Sequence, residues 1–394
     1  MTKPLFLKSL KYTLLLLWIC SNTLWAHHQP DTLPINAEER RLLTTSSQYS
    51  PSNAHDEKKP TQTLASVLAS APSFKELKTL VLESGLTLWS VNTDHQNLYR
   101  ARLAGRIHIK QQKANFSLST EQRRELLTLY ELSSRGMLSA SFLNAGSINL
   151  LIIGLDPSTF DMGNRRRQQP TSLVLNLDEH HWQGNGKNIH SQAVLVPNRF
   201  RDFDDGLVEG LLNPFFQNKN LQAIVILTTG NQKQLIFQRY AGRNRSTPIP
   251  DNNNTMTSAK PYRPSPPRFQ GKSLKGPEFL ASSQPDSSFF RVKLPWSVID
   301  NRTISTLTGT KTIEDVEEVF EEVSVTGSSG GYLPNELTYR ALLLKQQLNS
   351  PVKVFHLQLP QFNNQKENLT NNVFQLEQIL SALISPSVSG SVSD

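Results

Sequence analysis

The chain contains one cysteine, Cys20, and its position restricts the chemistry open to the protein. Cys20 follows a basic start and the apolar run at residues 14–19, and the small residue Ala26 comes soon after, which is the pattern of a secretory signal. The run is shorter than the roughly 20 apolar residues that span a bilayer. We therefore expect cleavage after Ala26 and a secreted or periplasmic protein without a thiol. An uncleaved anchor and a lipid-modified Cys20 are the alternatives.

A serine nucleophile is a second chemistry that the residue types offer. Ser328 and Ser329, with His356 as base and Asp251 as orienting acid, have the side chains that such catalysis requires. The two serines lie in the Gly-rich run at residues 327–331, where turn residues are expected. The sequence therefore favours a turn over a nucleophile here.

Two histidine pairs carry metal-ligating side chains. His180 and His181 stand in a polar stretch before Gly184, and adjacent side chains point in different directions, which favours a solvated surface over a metal site. His27 and His28 would begin the cleaved protein and could bind copper or nickel together with the free amine. We expect no resident metal and no cofactor.

Three carboxylates, those of Asp202, Asp204 and Asp205, lie close together in the sequence. A cation site requires oxygens that converge on one centre. At the start of a helix predicted over 202–212, these acids are more simply cap and dipole partners.

The charge distribution argues against a nucleic-acid partner. Lys and Arg number 41 against 33 Asp and Glu, giving a net charge of +8, and loss of three signal lysines leaves +5 (8 − 3). The excess is dispersed apart from a run at residues 165–167, which we interpret as a solvated loop. A nucleic-acid surface needs clustered basic side chains with interleaved aromatic ones.

The first part of the chain changes character near residue 70. Residues 27–70 are rich in Ser, Thr, Asn, Gln and Pro, which predicts a disordered linker. Residues 71–146 carry helical signals, including a capping box at Ser119 and Gln122. We therefore expect a helical N-terminal region.

The second part alternates between strand and helix patterns. Over residues 147–365, apolar runs such as 148–153 and 223–227 alternate with helical segments, which predicts an α/β domain with a mostly parallel sheet. An irregular insertion rich in Pro and Asn occupies 244–275. Residues 366–394 are expected to form a C-terminal helix and a Ser-rich tail.

Five short segments of this domain follow one another in a recognisable order. They are Gly154-Leu155-Asp156-Pro157, Gln238-Arg239-Tyr240-Ala241, Ile249-Pro250-Asp251-Asn252, Gly331-Tyr332-Leu333-Pro334-Asn335-Glu336 and Phe355-His356-Leu357-Gln358-Leu359-Pro360. In this order they resemble motifs of the pyroglutamyl peptidase I family, the pyrrolidone-carboxylate peptidases, over about residues 148–365. The resemblance implies a three-layer α/β sandwich with a mostly parallel twisted sheet, preceded here by the helical region.

The family uses a cysteine nucleophile, a histidine base and an acid that orients the histidine. The resemblance places Pro334 at the cysteine position, Gln238 at the acid position and Gln358 at the histidine position. His356, two residues earlier and on the same face of a strand, is the alternative histidine. The resemblance also implies a group of substrate-binding residues, namely Gly154, Leu155, Arg239 and Gly331.

Every catalytic position of the family is altered in this chain. Loss of a nucleophile alone costs several powers of ten in rate. We therefore expect an exported, inactive relative that binds a peptide or protein partner through the former active-site cleft. The alternatives are an active pyroglutamyl peptidase with rebuilt chemistry and a structural protein of the cell envelope.

Overall fold

A computed structural model gives the fold of the chain. It describes residues 32–45, 58–91, 94–142, 146–156, 167–168, 170–230, 234–246, 249–256, 264–285, 289, 297–306, 309–312, 325–360, 362–363 and 366–384. These residues fall into two compact units, Met1–Ser139 and Ala140–Asp394. Outside the described residues lie the whole predicted signal and residues 385–394 of the tail, with Cys20, Ala26, His27, His28, Pro157, Arg165 and Arg166. No helix in the described ranges combines the length and apolarity that crossing a bilayer requires.

The described part of the first unit is helical. Its helices are α1 (Ala37–Thr45), α2 (Lys58–Ser70), α3 (Phe74–Val91), α4 (His95–Gln111) and α5 (Thr120–Ser133). The capping box predicted before α5 is confirmed. Ser119 Oγ accepts a hydrogen bond from the Gln122 backbone, and the Gln122 side chain accepts one from the Ser119 backbone. Two donors at the start of α5 are thereby satisfied.

Helices α1 and α2 occupy much of the range 27–70, where the sequence predicted a disordered linker. The carboxylate of Glu39 in α1 is fully buried and accepts hydrogen bonds from Arg106 Nε at 2.8 Å and Lys110 Nζ at 2.7 Å. Leu64 of α2 is also buried. The polar composition was misleading because α1 fills its buried contacts with charge pairs, which composition does not distinguish from solvated residues.

The second unit is built on a seven-stranded sheet. In spatial order its strands are β11 (Val298–Asn301), β6 (Leu235–Gln238), β14 (Lys353–Leu359), β5 (Leu221–Thr229), β1 (Ile148–Leu155), β4 (Lys187–Val196) and β3 (His180–Gly184). Neighbouring strands are parallel except in two pairs, β6 with β14 and β3 with β4. The predicted mostly parallel sheet is confirmed.

Helices and short strands complete the second unit. The helices are α6 (Pro170–Asn176), α7 (Phe200–Asp204), α8 (Leu207–Phe216), α9 (Leu333–Gln347) and α10 (Lys366–Leu383). The short strands are β2 (Arg167–Gln168), β7 (Tyr240–Gly242), β8 (Arg268–Phe269), β9 (Lys272–Ser273), β10 (Phe279–Ala281), β12 (Thr303–Thr306), β13 (Gly309–Thr312) and β15 (Phe362–Asn363).

Helices cover both faces of the large sheet. A side chain at Gly154 would meet Val174 of α6, whereas His356 bonds to Thr338 of α9. Gly154 shares its face with Phe355, through the register that runs across β1, β5 and β14. Since successive side chains of a strand point to opposite faces, α6 and α9 lie on opposite sides of the sheet. The expected three-layer α/β fold is confirmed.

The single helix predicted over 202–212 is two helices, α7 and α8. Gly206 separates them with φ 91°. This left-handed conformation suits glycine, which has no Cβ to clash with the backbone. Helical periodicity alone does not reveal such a break, because the apolar positions of both helices continue on one pattern.

The cap part of the prediction for these three acids is wrong, because the N-cap residue of α7 is Arg199; Asp202 does lie in the first turn of α7, where a dipole partner was predicted. Helix α7 has no side-chain cap hydrogen bond at its N-cap residue. Each acid is instead engaged by an arginine: Asp202 by Arg199 at 2.7 Å, Asp204 by Arg245 at 2.8 Å and Asp205 by Arg201 at 3.5 Å. The arginine contacts are favoured over contacts with backbone amides because each guanidinium offers its carboxylate a charged donor.

Candidate functional site

The candidate site lies where the start of α9 meets one face of the sheet. Gln358 stands opposite Ile236 in the pairing of β6 with β14, and Gln238 lies two residues further along β6. His356 lies two residues before Gln358 on β14. Since alternate side chains of a strand share a face, all three polar residues point to the side of the sheet that α9 covers.

Pro334 belongs to the same region. Residues 348–352 join α9 to β14, so the helix runs antiparallel to the strand. Thr338 of α9 contacts His356. One helical turn back from Thr338 is Pro334, and two residues forward from His356 is Gln358; both steps move about 5–7 Å toward the same end of the unit. Pro334 and Gln358 therefore lie at a similar height along the direction of β14, near the end of that strand.

Backbone contacts hold the start of α9 in place. The side chain of Asn335 hydrogen-bonds to both backbone groups of Gly242 in β7. Its Oδ1 accepts from Gly242 N at 2.9 Å, and its Nδ2 donates to Gly242 O at 2.7 Å. A Cβ on Gly242 would lie 2.4 Å from Gly327 N. Gly327 itself has φ 66°. Both positions require glycine, because two backbone segments meet there without room for a side chain.

His356 is the centre of a buried hydrogen-bond chain. Thr338 Oγ1 donates its one proton to Pro334 O at 3.0 Å, so it accepts from His356 Nδ1 at 2.9 Å. The neutral ring must then accept at Nε2, which lies 2.8 Å from Thr228 Oγ1. The proton of the neutral ring therefore lies on Nδ1, and neither ring nitrogen has a lone pair left for another group.

Burial keeps the ring of His356 neutral. The side chain is 1% exposed, and burial lowers the pKa of His356 to about 3. A general base must reach the proton that it abstracts and work near the ambient pH. In this arrangement His356 links β5, β14 and α9, and its ring nitrogens are occupied by threonine hydroxyls.

Gln238 is buried beside the loop that leads into α9. Its Oε1 accepts from Asn301 Nδ2 at 3.2 Å, and the same amide nitrogen donates to Ser328 O at 2.8 Å. Gln238 Nε2 has no partner among the described residues, although Gln238 is 1% exposed. The hydroxyl of the next loop residue, Ser329, is likewise buried and unpartnered within those ranges. Two buried polar groups without a partner in the described ranges therefore lie near the loop before α9.

The predicted substrate-binding residues occupy different places. Gly154 packs against α6, on the face away from α9. Leu155 ends β1 and is half-buried. Arg239 Nη1 pairs with Asp300 Oδ2 at 3.1 Å. Gly331 O accepts from Ser246 N at 3.0 Å, which fixes the turn before α9. Their roles toward a ligand stay predictions.

The serine arrangement considered from sequence is not assembled. Ser328 Oγ bonds to both backbone groups of Tyr240. The carboxylate of Asp251 accepts backbone hydrogen bonds from Phe200 at 2.8 Å and from its own loop. His356 is engaged by two threonines instead. The side chains of Ser328 and Asp251 therefore hold backbone segments in place through hydrogen bonds.

The histidines near residue 180 form separate pairs. His180 Nε2 lies 2.6 Å from Glu377 Oε1, and His181 stacks on His190 with ring centroids 4.3 Å apart. Burial and the neighbouring His190 lower the pKa of His181. In the part of the chain that the structure describes, no group of three or more His, Cys, Asp and Glu side chains could hold a metal ion.

Asn198 is a residue that sequence reasoning missed. It follows the end of β4, its backbone oxygen accepts from Asn252 N at 3.0 Å, and it is 3% exposed. Its side chain lies near the hydroxyl of Tyr332, the residue before α9. An asparagine just beyond the carboxyl end of a buried parallel strand was the available signal, because ligands often bind at that edge.

Comparisons with known proteins give distant similarities. No family model matches the sequence. An uncharacterized protein of Pseudomonas aeruginosa is 23% identical over 203 residues, a match that covers 43% of this chain and 37% of that protein. A mutant pyrrolidone carboxyl peptidase from the hyperthermophile Pyrococcus furiosus has a TM-score of 0.41 at 14% identity, covering 60% of this chain and 98% of that one. Pyroglutamyl peptidase I from Bacillus amyloliquefaciens has a TM-score of 0.41 at 13% identity, covering 61% and 96%. The activity must therefore be inferred from the residues of this chain.

Proposed function

We propose that the second unit binds the amino-terminal part of a peptide or protein at the start of α9 and does not cleave it. The observation that carries this proposal is the buried, unpartnered amide of Gln238. A buried donor without a partner costs about 1–3 kcal/mol. A ligand oxygen placed on Gln238 Nε2 would remove that cost, so the recognised group is a carbonyl or carboxylate.

The start of α9 favours the same kind of ligand. Tyr332 occupies the N-cap position and makes no side-chain cap hydrogen bond. The first amides of a helix are donors without intrahelical partners, and the positive end of the helix dipole attracts oxygen atoms. With the Ser329 hydroxyl nearby, the region offers donors to one end of a ligand.

Two residues support binding without catalysis. Pro334 has neither a nucleophilic atom nor a backbone N–H, and it lies in the first turn of α9. The ring nitrogens of His356 are both used by threonines. Cleavage of an amide would need a nucleophile and a base at this place. The signal pattern around Cys20 supports export, so we propose that the ligand is met outside the cytoplasm.

A blocked amino terminus fits the site best. A pyroglutamyl residue presents a lactam carbonyl to Gln238 and carries no ammonium charge. A charged amine would lose its hydration on burial, which is costly without a carboxylate placed to pair with it. We therefore propose N-terminally blocked peptides, with pyroglutamyl peptides as the probe.

Replacing Gln238 with glutamate should weaken the binding of a pyroglutamyl tripeptide about tenfold, the effect of losing about 1.4 kcal/mol. Glutamate keeps the oxygen that accepts from Asn301 and removes the amide donor. Isothermal titration calorimetry of the purified chain measures the change in Kd.

Gln346→Glu is the matched control, because Gln346 is exposed near the other end of α9. The control should bind as the unchanged protein does. Equal affinity of the Gln238→Glu variant would contradict the role of this amide. Release of free pyroglutamate by the unchanged protein would favour the active peptidase instead.

A further inference from the structure

We propose that Asn198 Oδ1 accepts a hydrogen bond from an N–H group of the bound peptide. This inference rests on the proposed function and deepens it, because it adds a recognised donor to the recognised carbonyl. Asn198 is 3% exposed, and its Oδ1 has no partner in the described ranges. A buried amide oxygen without a donor is destabilising, so a ligand donor would be favourable there.

The neighbouring hydroxyl determines which way the Asn198 amide is turned. Tyr332 Oη donates its one proton to Pro250 O at 3.1 Å, and burial raises the pKa of Tyr332, so the hydroxyl keeps that proton. Toward Asn198 the hydroxyl can only accept a hydrogen bond. The side of Asn198 next to Tyr332 therefore suits the amide nitrogen, a donor, and Oδ1 is the atom without a partner in the described ranges.

The loop around Asp251 holds Asn198 in this position. Asp251 Oδ2 accepts from Phe200 N at 2.8 Å, and Asn252 N donates to Asn198 O at 3.0 Å. Asp251 Oδ1 accepts from the backbone of Asn253 and Thr255, each at 2.8 Å. These hydrogen bonds hold the backbone at Asn198 O and at Phe200 N, which restrains the position of the Asn198 side chain.

Asn198 and Gln238 approach the start of α9 from different elements. Asn198 reaches Tyr332, immediately before the helix, from the end of β4. Gln238 reaches Ser328 through Asn301, from the end of β6. One element supplies an unpartnered donor and the other an unpartnered acceptor. A peptide backbone carries both complements, C=O and N–H, whereas a simple carboxylate carries acceptors only.

Ester-for-amide replacement in the probe tests the inference. Calorimetry measures the binding of a pyroglutamyl tripeptide and of a set of its analogues. In each analogue one amide N–H, the lactam included, is replaced by oxygen. One replacement should weaken binding to the unchanged protein about tenfold. Asn198→Leu should bind the unmodified peptide about tenfold more weakly and lose the discrimination against that ester.

Asn198→Asp separates recognition from mere support of Tyr332. Aspartate loses the amide donor to Tyr332 but keeps an acceptor oxygen, so the ester discrimination should persist. Thermal unfolding confirms that both variants are folded. The inference is overturned if no ester analogue binds more weakly than the amide, or if Asn198→Leu keeps the discrimination. Failure of the unchanged protein to bind any probe would instead overturn the proposed function, and with it this inference.

Discussion

Replacing Glu336 with glutamine should lower the free energy of unfolding of the second unit by about 3–5 kcal/mol. Glu336 is 2% exposed and accepts hydrogen bonds from Arg245 Nε at 2.6 Å and Arg340 Nε at 2.8 Å. Arg340 is itself 1% exposed. Glutamine keeps the shape but places an amide N–H group among guanidinium donors. Two buried positive charges would lose their shared counterion.

Asp205→Asn is the matched control for this experiment. Asp205 pairs with Arg201 at 3.5 Å, and the two side chains are 69% and 85% exposed. Exposed pairs of this kind contribute about 0–1 kcal/mol. Urea unfolding followed by circular dichroism compares both variants with the unchanged protein. Similar losses in the two variants would show that the buried Glu336 network stabilises the unit no more than an exposed ion pair does.

Lowering the pH from 7 to 5 should cost roughly 2 kcal/mol of stability through His356 alone. Burial lowers the pKa of His356 to about 3, against about 6.5 in an unfolded chain. Below pH 6.5 the unfolded chain binds a proton that the native state does not. The stability is therefore complete above that value and is lost progressively as the pH falls toward 3.

The variant His356→Asn isolates this effect, because asparagine can still donate to Thr338 but does not titrate near neutral pH. Urea unfolding of both proteins at pH 7 and pH 5 gives four free energies. The unchanged protein should lose roughly 2 kcal/mol more than the variant on acidification. Parallel losses would mean that His356 is protonated in the native state and is not buried as described.

Much of the second unit could be predicted because buried parallel strands have a simple pattern. The apolar run at 148–153 lies in β1, and the run at 223–227 lies in β5. The α5 cap was readable because Ser119 and Gln122 act within one turn. In each case the signal is local, so a single window of sequence contains it.

The site was less predictable because its contacts join distant segments. Gln238 meets Asn301, and Asn198 meets Tyr332, only after the sheet has formed. Charge pairs were also misread: acids that resemble cap residues, such as Asp204, bind arginines far away in sequence. Spacing reveals neither kind of contact, since both depend on tertiary packing.

Binding and integrity of one peptide, measured in the same sample, test the central claim most directly. The purified chain is titrated with a pyroglutamyl tripeptide at pH 7, and the mixture is analysed by mass spectrometry after prolonged incubation. We predict saturable binding that depends on Gln238, with the peptide recovered intact. Free pyroglutamate that accumulates with the unchanged protein, and not with His356→Asn, would contradict the account.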